Sequence, residues 1–566
     1  MPQRVKKILI IGQGPIIIGQ GAEYDYAGVE ACKALKEEGY KVILISSNPA
    51  TIMTDPEIAD KVYMEPLTLE YVARIIRYER PNGLLANVGG PTAFSIVTQL
   101  AKKGVLKECQ VELLGIDLTT INLTTKQNLF HDFCEKIDEP ILPAKVANNL
   151  EEATSLAIEI GFPLLVKPVF PLDGAGGGFV TNSTELKDIS NQSFKHSSVN
   201  QILLEKSIKG YKEIEVEVVR DADDKVLAIS CLENINPLGV HTGDSITVMP
   251  DLSLSFEIRN QIKKSAIKII RELDILGNCN IQFAVDPQNQ KYYVLKATPQ
   301  ITRSSVFISK ASAYSIPFVT TKLAIGKSLA QITINDKQIN HQSKTDSLAI
   351  KIPRFSFDKF VSASNVLSNN MKSTGEVMAL GSSFEEALLK GIRSLEINAD
   401  HLYLEKFLDY NNEELFEYIN VPRDDQIFAI AELLRRDEEI NEIAKITNIA
   451  QVFLEKIKKI IACEKLLESG NINLEHLQQL KATGFSDSFI AKQINKNPND
   501  LINYRLDNNI TPTFASLLTQ SKKRIDDQGS NCFYSTYENS KSKSNRLIPN
   551  SKTKKNHSNR VGSNSY

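Results

Sequence analysis

Short apolar runs alternate with amphipathic stretches over the first 120 residues of the chain. Residues 7–11, 41–46 and 83–87 read as apolar strands, and residues 29–39 and 69–80 carry apolar positions at helical spacing. Strands and helices alternating at this pitch predict a parallel sheet covered on both faces. Ligands of such sheets lie beyond the carboxyl ends of the strands, where residues 12–14, 46–49 and the pair Gly89-Gly90 fall. Gly12, Gly14 and Gly19 do not make a dinucleotide fingerprint, because the third glycine comes two positions late and no acidic residue stands at the right distance. Taken alone, that segment is a tight strand-to-helix turn.

The pattern then becomes mixed. Residues 126–136 and 151–160 read as helices, and strands at 163–168 and 179–181 flank a glycine-rich loop as a hairpin. Residues 202–205, 213–220 and 226–232 read as antiparallel strands, with 221–224 as a turn. A long helix over 253–273 precedes a hairpin of 280–286 with 291–295. Residues 336–400 form a small mixed region, with a strand at 348–352 and a helix at 384–395. From 401 to 540 strand signals become scarce, and 425–435, 440–444, 451–467 and 474–483 carry helical spacing, which predicts a separate helical domain. Residues 541–566 hold seven Lys/Arg, no acidic residue, six Ser and five Asn, so they cannot bury enough surface to order themselves. They read as a solvated tail, with a basic nucleic-acid arm as the alternative.

Composition narrows this picture. A chain of 566 residues holds three or four domains, and 42% hydrophobic with 24% charged residues is globular. A net charge of −2 gives no global pull toward nucleic acid, and no window approaches the ~20 apolar residues of a membrane span. Seven scattered cysteines without a Cys-x-x-Cys pair fit a reducing, cytoplasmic interior. The opening apolar run is too brief for a signal peptide.

The chemistry concentrates in a few segments. Lys167-Pro-Val-Phe-Pro-Leu-Asp-Gly-Ala-Gly-Gly-Gly178 sets a strand-borne ammonium beside a loop whose glycines let backbone N–H groups close over phosphates. Five glycine or alanine positions in a row exceed what a ligand-free hairpin needs, so nucleotide binding is the favoured reading. Glu213, Glu215 and Glu217 share one strand face, which either meets solvent or faces a cation. His241 lies in a polar loop, residues 239–245, and a lone histidine carries little by itself.

The segments Gly12-Gln-Gly-Pro15, Ser47-Asn-Pro-Ala-Thr-Ile-Met-Thr-Asp-Pro56, Glu217-Val-Val-Arg-Asp221, residues 239–250, Gln282-Phe-Ala284 and Arg303-Ser-Ser305 together resemble the large chain of carbamoyl phosphate synthetase. The likeness covers roughly residues 5–540 and extends through Lys351-Ile-Pro-Arg-Phe355, Met371-Lys-Ser-Thr-Gly-Glu376 and Tyr534-Ser-Thr-Tyr-Glu538. It is to the first half only, since the chain holds no second copy of either glycine segment. The resemblance implies an α/β fold: a parallel α/β domain over 1–120, an ATP-grasp domain over 121–335, a small mixed subdomain over 336–400, an all-α oligomerisation domain over 401–540 and a basic tail over 541–566. It also implies a ligase that activates bicarbonate with ATP to carboxyphosphate for attack by ammonia, toward arginine and pyrimidine precursors. Ammonia would come from a glutamine amidotransferase small chain, the second phosphorylation from a separate synthetase half, and the chain would be oligomeric, with neither a nucleic-acid nor a membrane partner.

Residue by residue, the resemblance implies Lys167, Gly174, Gly176, Gly177, Glu213, Gly239, Val240, His241 and Gln282 at the nucleotide, Gln282 at a magnesium or manganese ion, and Arg303 as a catalytic residue beyond the last strand. Lys167 replaces an arginine, and Asp173 stands where another glycine is usual. Gln127 and Gln300 stand where arginines are expected, and Lys206 replaces a glutamate on the adenine side. Lys296 replaces a metal-bridging glutamate and Thr298 a metal-binding asparagine two residues on, positions that share a strand face. A lysine ~4 Å from a divalent ion is repelled by several kcal/mol even at an effective dielectric of about 20. At ~1.4 kcal/mol per tenfold in rate, that removes three or more orders of magnitude. Two functions follow as expectations: a divergent, split or truncated large chain contributing the half-reaction, or a nucleotide-binding relative that assembles with an intact synthetase.

Overall fold

Five parallel strands open the chain: β1 (Lys7–Ile11), β2 (Lys41–Ile45), β3 (Lys61–Tyr63), β4 (Gly83–Leu85) and β5 (Glu112–Leu113), in the order β3-β2-β1-β4-β5. The computed structural model describes residues 6–14, 22–169, 177–312, 314–334, 337–338, 347–360, 362–468, 470, 472–517 and 532–537. Loop residues 170–176, turn residues 15–19 and the basic tail lie outside them. Ile8, Leu9, Ile10 and Ile11 are all buried, because helices cover both faces of the sheet. The strand order reverses between β1 and β4, which places a crevice beyond their carboxyl ends. Gly89 starts a helix there, and a Cβ on it would stand 2.3 Å from the Ile11 carbonyl, so only glycine permits that approach.

The first helix, Ala22–Glu37, begins well before the apolar periodicity at residue 29. Its first turn is polar, with Glu23 and Asp25 placed where a helix N-terminus favours negative charge. Asp25 also accepts hydrogen bonds from the Thr51 hydroxyl and from the Ile52 and Met53 amides at 3.3 Å each. The 47–56 segment is thereby stapled to this helix. Asp25→Ala is expected to strand these donors and lower the unfolding free energy by about 1–3 kcal/mol, measured by urea denaturation.

A four-stranded antiparallel sheet follows, in the order β6-β9-β7-β8, from β6 (Ala144–Ala147), β7 (Leu164–Pro168), β8 (Gly178–Val180) and β9 (Ile202–Lys206). β9 therefore belongs to this sheet and not with the two strands after it, because a turn at Gly210 separates them. Those two, β10 (Lys212–Arg220) and β11 (Val226–Asn234), join β12 (Thr247–Met249), β13 (Gly277–Val285) and β14 (Tyr292–Thr298) in a seven-stranded sheet. Strands Leu348–Arg354 and Gly375–Gly381 complete it, with Thr247 opposite Lys351. The strand expected inside a small mixed region thus extends the large sheet. Helix Phe256–Glu272, capped by Ser255, packs on one face of it, and Ile214, Val216 and Val218 point into that core.

Helices run from Asn412 to Asp507, but the expectation of helices through 540 is corrected by an antiparallel hairpin of Thr513–Ser516 with Phe533–Thr536. Four positions alternating in a short strand leave no periodicity long enough to read. Val248, Ile350 and Ile352 of the sheet share one apolar cluster with Phe384, Phe428, Phe453 and Ile460 of the helices. No helix among the described residues is long and apolar enough to cross a membrane.

Candidate functional site

A cavity of about 580 Å³ lies between the four-stranded sheet, the loop at 237–240 and the helical region, and Lys167, Glu205, Lys206, Gly239 and Val240 are among its lining residues. Alternation on β7 buries Leu164 and Val166 and turns Lys167 to the other face. Its ammonium is 2.6 Å from the Glu205 carboxylate. A Cβ on Gly177 would stand 2.7 Å from the Val166 carbonyl, so the hairpin closes against β7 only with glycine there. Gly174 and Gly176 lie outside the described residues. The Lys206 ammonium donates to the carbonyls of Gly161 and Phe162 at 2.9 and 3.0 Å. Those carbonyls cap the carboxyl end of helix Leu150–Ile160, where a cation is favoured.

The carboxylate row of β10 does not meet solvent. Glu213, Glu215 and Glu217 are all buried, because this face lies against the parallel-sheet domain and its connecting helices. Glu213 accepts from the Asn234 amide at 2.8 Å and Glu215 from the Thr242 hydroxyl at 2.9 Å. Glu217, 0% exposed, accepts from Asn278 (2.9 Å), Asn280 (3.2 Å) and Ser305 (3.1 Å). Burial pushes the Glu217 carboxyl up to about 7 against the pull of these three donors. Burial, and then the neighbouring Glu215, push Glu213 upward too, with Asn234 and Lys351 opposing.

Loop residues 239–245 close the row. Gly239 has φ +119, Val240 is buried against Phe355 and Leu367, and His241 Nδ1 accepts from the Gly243 amide at 3.0 Å. Burial, then Arg303, lower the His241 pKa, with Lys351 and Lys296 acting the same way and Asp244 opposing. The Arg303 guanidinium lies against Gly243, where a Cβ would come within 2.7 Å of it. Arg303 also acts on Glu23 and Tyr24 of the first helix, so that helix reaches the site as well.

Antiparallel register carries the row across three strands. Glu215 stands opposite Gln282, and Gln282 opposite Lys296; Glu217 stands opposite Asn280, and Asn280 opposite Thr298. Lys296 and Thr298 therefore share the face of the buried carboxylates. Lys296 is exposed, its side chain makes no hydrogen bond or ion pair with any described residue, and the same is true of the side chain of the half-buried Arg303. Gln300 is buried, with its amide donating to the Gly90 carbonyl at 3.2 Å. Gln127 opens helix Gln127–Lys136 and is exposed.

The structure adds Lys351, which the sequence reading assigned no role. This buried ammonium donates to the Thr242 carbonyl at 3.3 Å and lies 3.9 Å from Glu376. Burial lowers its pKa, while Glu376, Glu215 and Glu213 pull the other way. A single cation inside the apolar run Leu348-Ala-Ile-Lys-Ile352 was the available signal. Glu205 and Ser305 were likewise missed, because a partner on a distant strand or helix leaves no local pattern.

Three family models match successive parts of the chain. They are the carbamoyl phosphate synthase preATP-grasp domain over residues 4–123, the carbamoyl-phosphate synthase L chain ATP binding domain over 126–332, and the carbamoyl-phosphate synthetase large chain oligomerisation domain over 376–509. Among solved structures, the biotin carboxylase subunit of pyruvate carboxylase aligns with a TM-score of 0.51 at 18% identity, over 80% of this chain and 99% of that one. The biotin carboxylase domain of a thermophilic 2-oxoglutarate carboxylase, bound to ADP without magnesium, gives 0.51 at 16%, over 80% and 99%. The corresponding Hydrogenobacter thermophilus domain, in complex with MgADP, ADP and bicarbonate, gives 0.50 at 17%, over 81% and 99%. At such identities the likeness is one of fold alone.

Proposed function

Because the chain belongs to the carbamoyl-phosphate synthase large-chain family, with matches running in order from residue 4 to 509, we propose that it contributes the ATP- and bicarbonate-using half-reaction to a larger assembly. The family's chemistry is ATP-dependent carboxylation through an ATP-grasp cleft. In the step proposed here a bicarbonate oxygen bonds to the γ-phosphorus as the bond to the ADP oxygen breaks, giving carboxyphosphate, which ammonia then attacks with loss of phosphate. The observation that carries the reading is the 239–245 loop, whose Gly239 and Val240 line the cavity with Lys167, and whose Thr242 and Gly243 meet Glu215 of β10 and the Arg303 guanidinium. Lys167, Gly177, Gly239 and Val240 would hold the nucleotide, and Arg303 the bicarbonate end. A glutamine amidotransferase small chain would supply ammonia, and the helical region would mediate oligomerisation.

The divalent ion that the family implies does not fit the residues present. Lys296 faces Gln282 and Thr298 faces Asn280 across β13 and β14, and the three glutamates are engaged by Asn234, Thr242, Asn278, Asn280 and Ser305. Among the described residues, three potential ligand side chains gather only at His131, Asp132 and Glu135 on the surface of helix Gln127–Lys136, remote in sequence from this strand pair. That mismatch favours a second reading: a relative that binds nucleotide and assembles with an intact synthetase while turning over slowly. Purified protein is expected to hydrolyse ATP in a bicarbonate-dependent manner at least about 10³-fold more slowly than an ordinary ATP-grasp ligase, with Mg²⁺ present. Steady-state phosphate release with and without bicarbonate measures this. A rate in the ordinary range removes the second reading, and no response to bicarbonate at any enzyme concentration removes the first.

A further inference from the structure

The cations near the site differ in their partners. Lys167 is taken by Glu205, and Lys206 by the helix-terminal carbonyls of Gly161 and Phe162. Lys296 and Arg303 have no hydrogen-bonding or ion-pairing partner among the described residues. Arg303 lies against Gly243, the neighbouring Thr242 donates to Glu215, and Glu215 stands in register with Gln282 and Lys296, so the two cations face the same end of the site. Two cations whose side chains are unpaired among the described residues, one on a strand end and one at a helix start, offer a receptor for an anion of high charge density. Lys296 is fixed there by register: its backbone pairs opposite Gln282, which places it on the same face as Glu215.

We infer that Lys296 supplies, as a tethered ammonium beside Arg303, the positive charge that the polyphosphate of a nucleoside triphosphate needs, so that this protein binds ATP without a divalent ion. The inference rests on the nucleotide-binding reading given above and deepens it. Phosphate oxygens require a neutralising charge wherever they are desolvated, and a lysine provides it as a point charge. A lysine, unlike a hydrated ion, cannot be removed by a chelator. It would also repel an incoming Mg²⁺, so the metal-free nucleotide is the species that fits. The buried glutamates behind it, each held by amide or hydroxyl donors, orient those donors and leave the ammonium free for the ligand.

Isothermal titration of the whole chain with ATP, once in EDTA and once in excess MgCl₂, tests this directly. The dissociation constant in EDTA is expected to be no weaker than about threefold above that in MgCl₂. Lys296→Met is expected to weaken binding in EDTA by about 10²-fold, Lys296→Arg to retain it, and Lys296→Glu to bind ATP only with Mg²⁺ present. Lys296 is exposed, so the ligand-free melting temperatures of these variants should match the parent. Binding by the parent that requires Mg²⁺ overturns the inference and leaves the nucleotide reading standing. Metal-free binding unaffected by Lys296→Met overturns the role of Lys296 alone. No heat with ATP under either condition overturns both.

Discussion

Truncation of Phe384 to alanine is expected to lower the unfolding free energy by about 3–5 kcal/mol. The ring is fully buried at the start of helix Phe384–Ser394, with its centroid 5.6 Å from that of Phe453 in the helical region. It belongs to the same apolar cluster as Val248, Ile350 and Ile352 of the seven-stranded sheet. A hole there is felt on both sides, since a close-packed interior relaxes only partly into a void. Hydrogen exchange followed by mass spectrometry should therefore show amides of Leu348–Arg354 and of Gln451–Lys465 losing protection together. Loss confined to the helices would mean that the two regions are separate cooperative units.

The second large effect concerns pH. Glu217 holds its proton up to about 7 in the folded protein, against 4.5 for a free side chain. Below 4.5 both the folded and unfolded forms are protonated, and the group adds no pH dependence. Between 4.5 and about 7 the unfolded chain releases the proton first, so stability falls as pH rises. Above about 7 both forms are ionised and the loss is complete, at about 3 kcal/mol. Glu217→Gln carries no such charge, and Asn278 and Asn280 each hold an unpaired Oδ1 that can accept from its new amide. The variant is expected to be more stable than the parent at pH 8, with a flatter profile from pH 5 to 8. Urea titrations across that range measure the difference. An unchanged slope would mean that Glu217 is ionised in the fold at all these values.

The parallel sheet was legible because both of its faces are covered, which leaves unbroken apolar runs such as Lys7–Ile11 and Lys41–Ile45. The lineage was legible because segments such as 47–56 combine residues whose roles are specific: Asp25 grips Thr51, Ile52 and Met53, and Gly28 leaves room for the Met53 thioether. The environment of the carboxylates was not legible. Glu-x-Glu-x-Glu reads identically whether the row faces water or a second sheet, and only the packing of distant helices decides it. Lys351 and Lys206 show the same limit from the cationic side. Each is defined by a partner that the chain brings up from more than forty positions away. The strand expected at 348–352 is present and runs to Arg354, but its membership of the large sheet was not legible, since pairing across a long separation has no local trace.

That long-range pairing bears on how the chain is made. Thr247 waits for Lys351, so one edge of the sheet that backs the cleft stays open until the later strand has left the ribosome. At roughly 5–20 residues per second, the interval is on the order of 5–20 seconds. Throughout it β12 presents unpaired backbone to any other nascent segment. Translation speed across the intervening stretch thus governs how long that edge must be shielded, and a chaperone that holds extended backbone would act in this window.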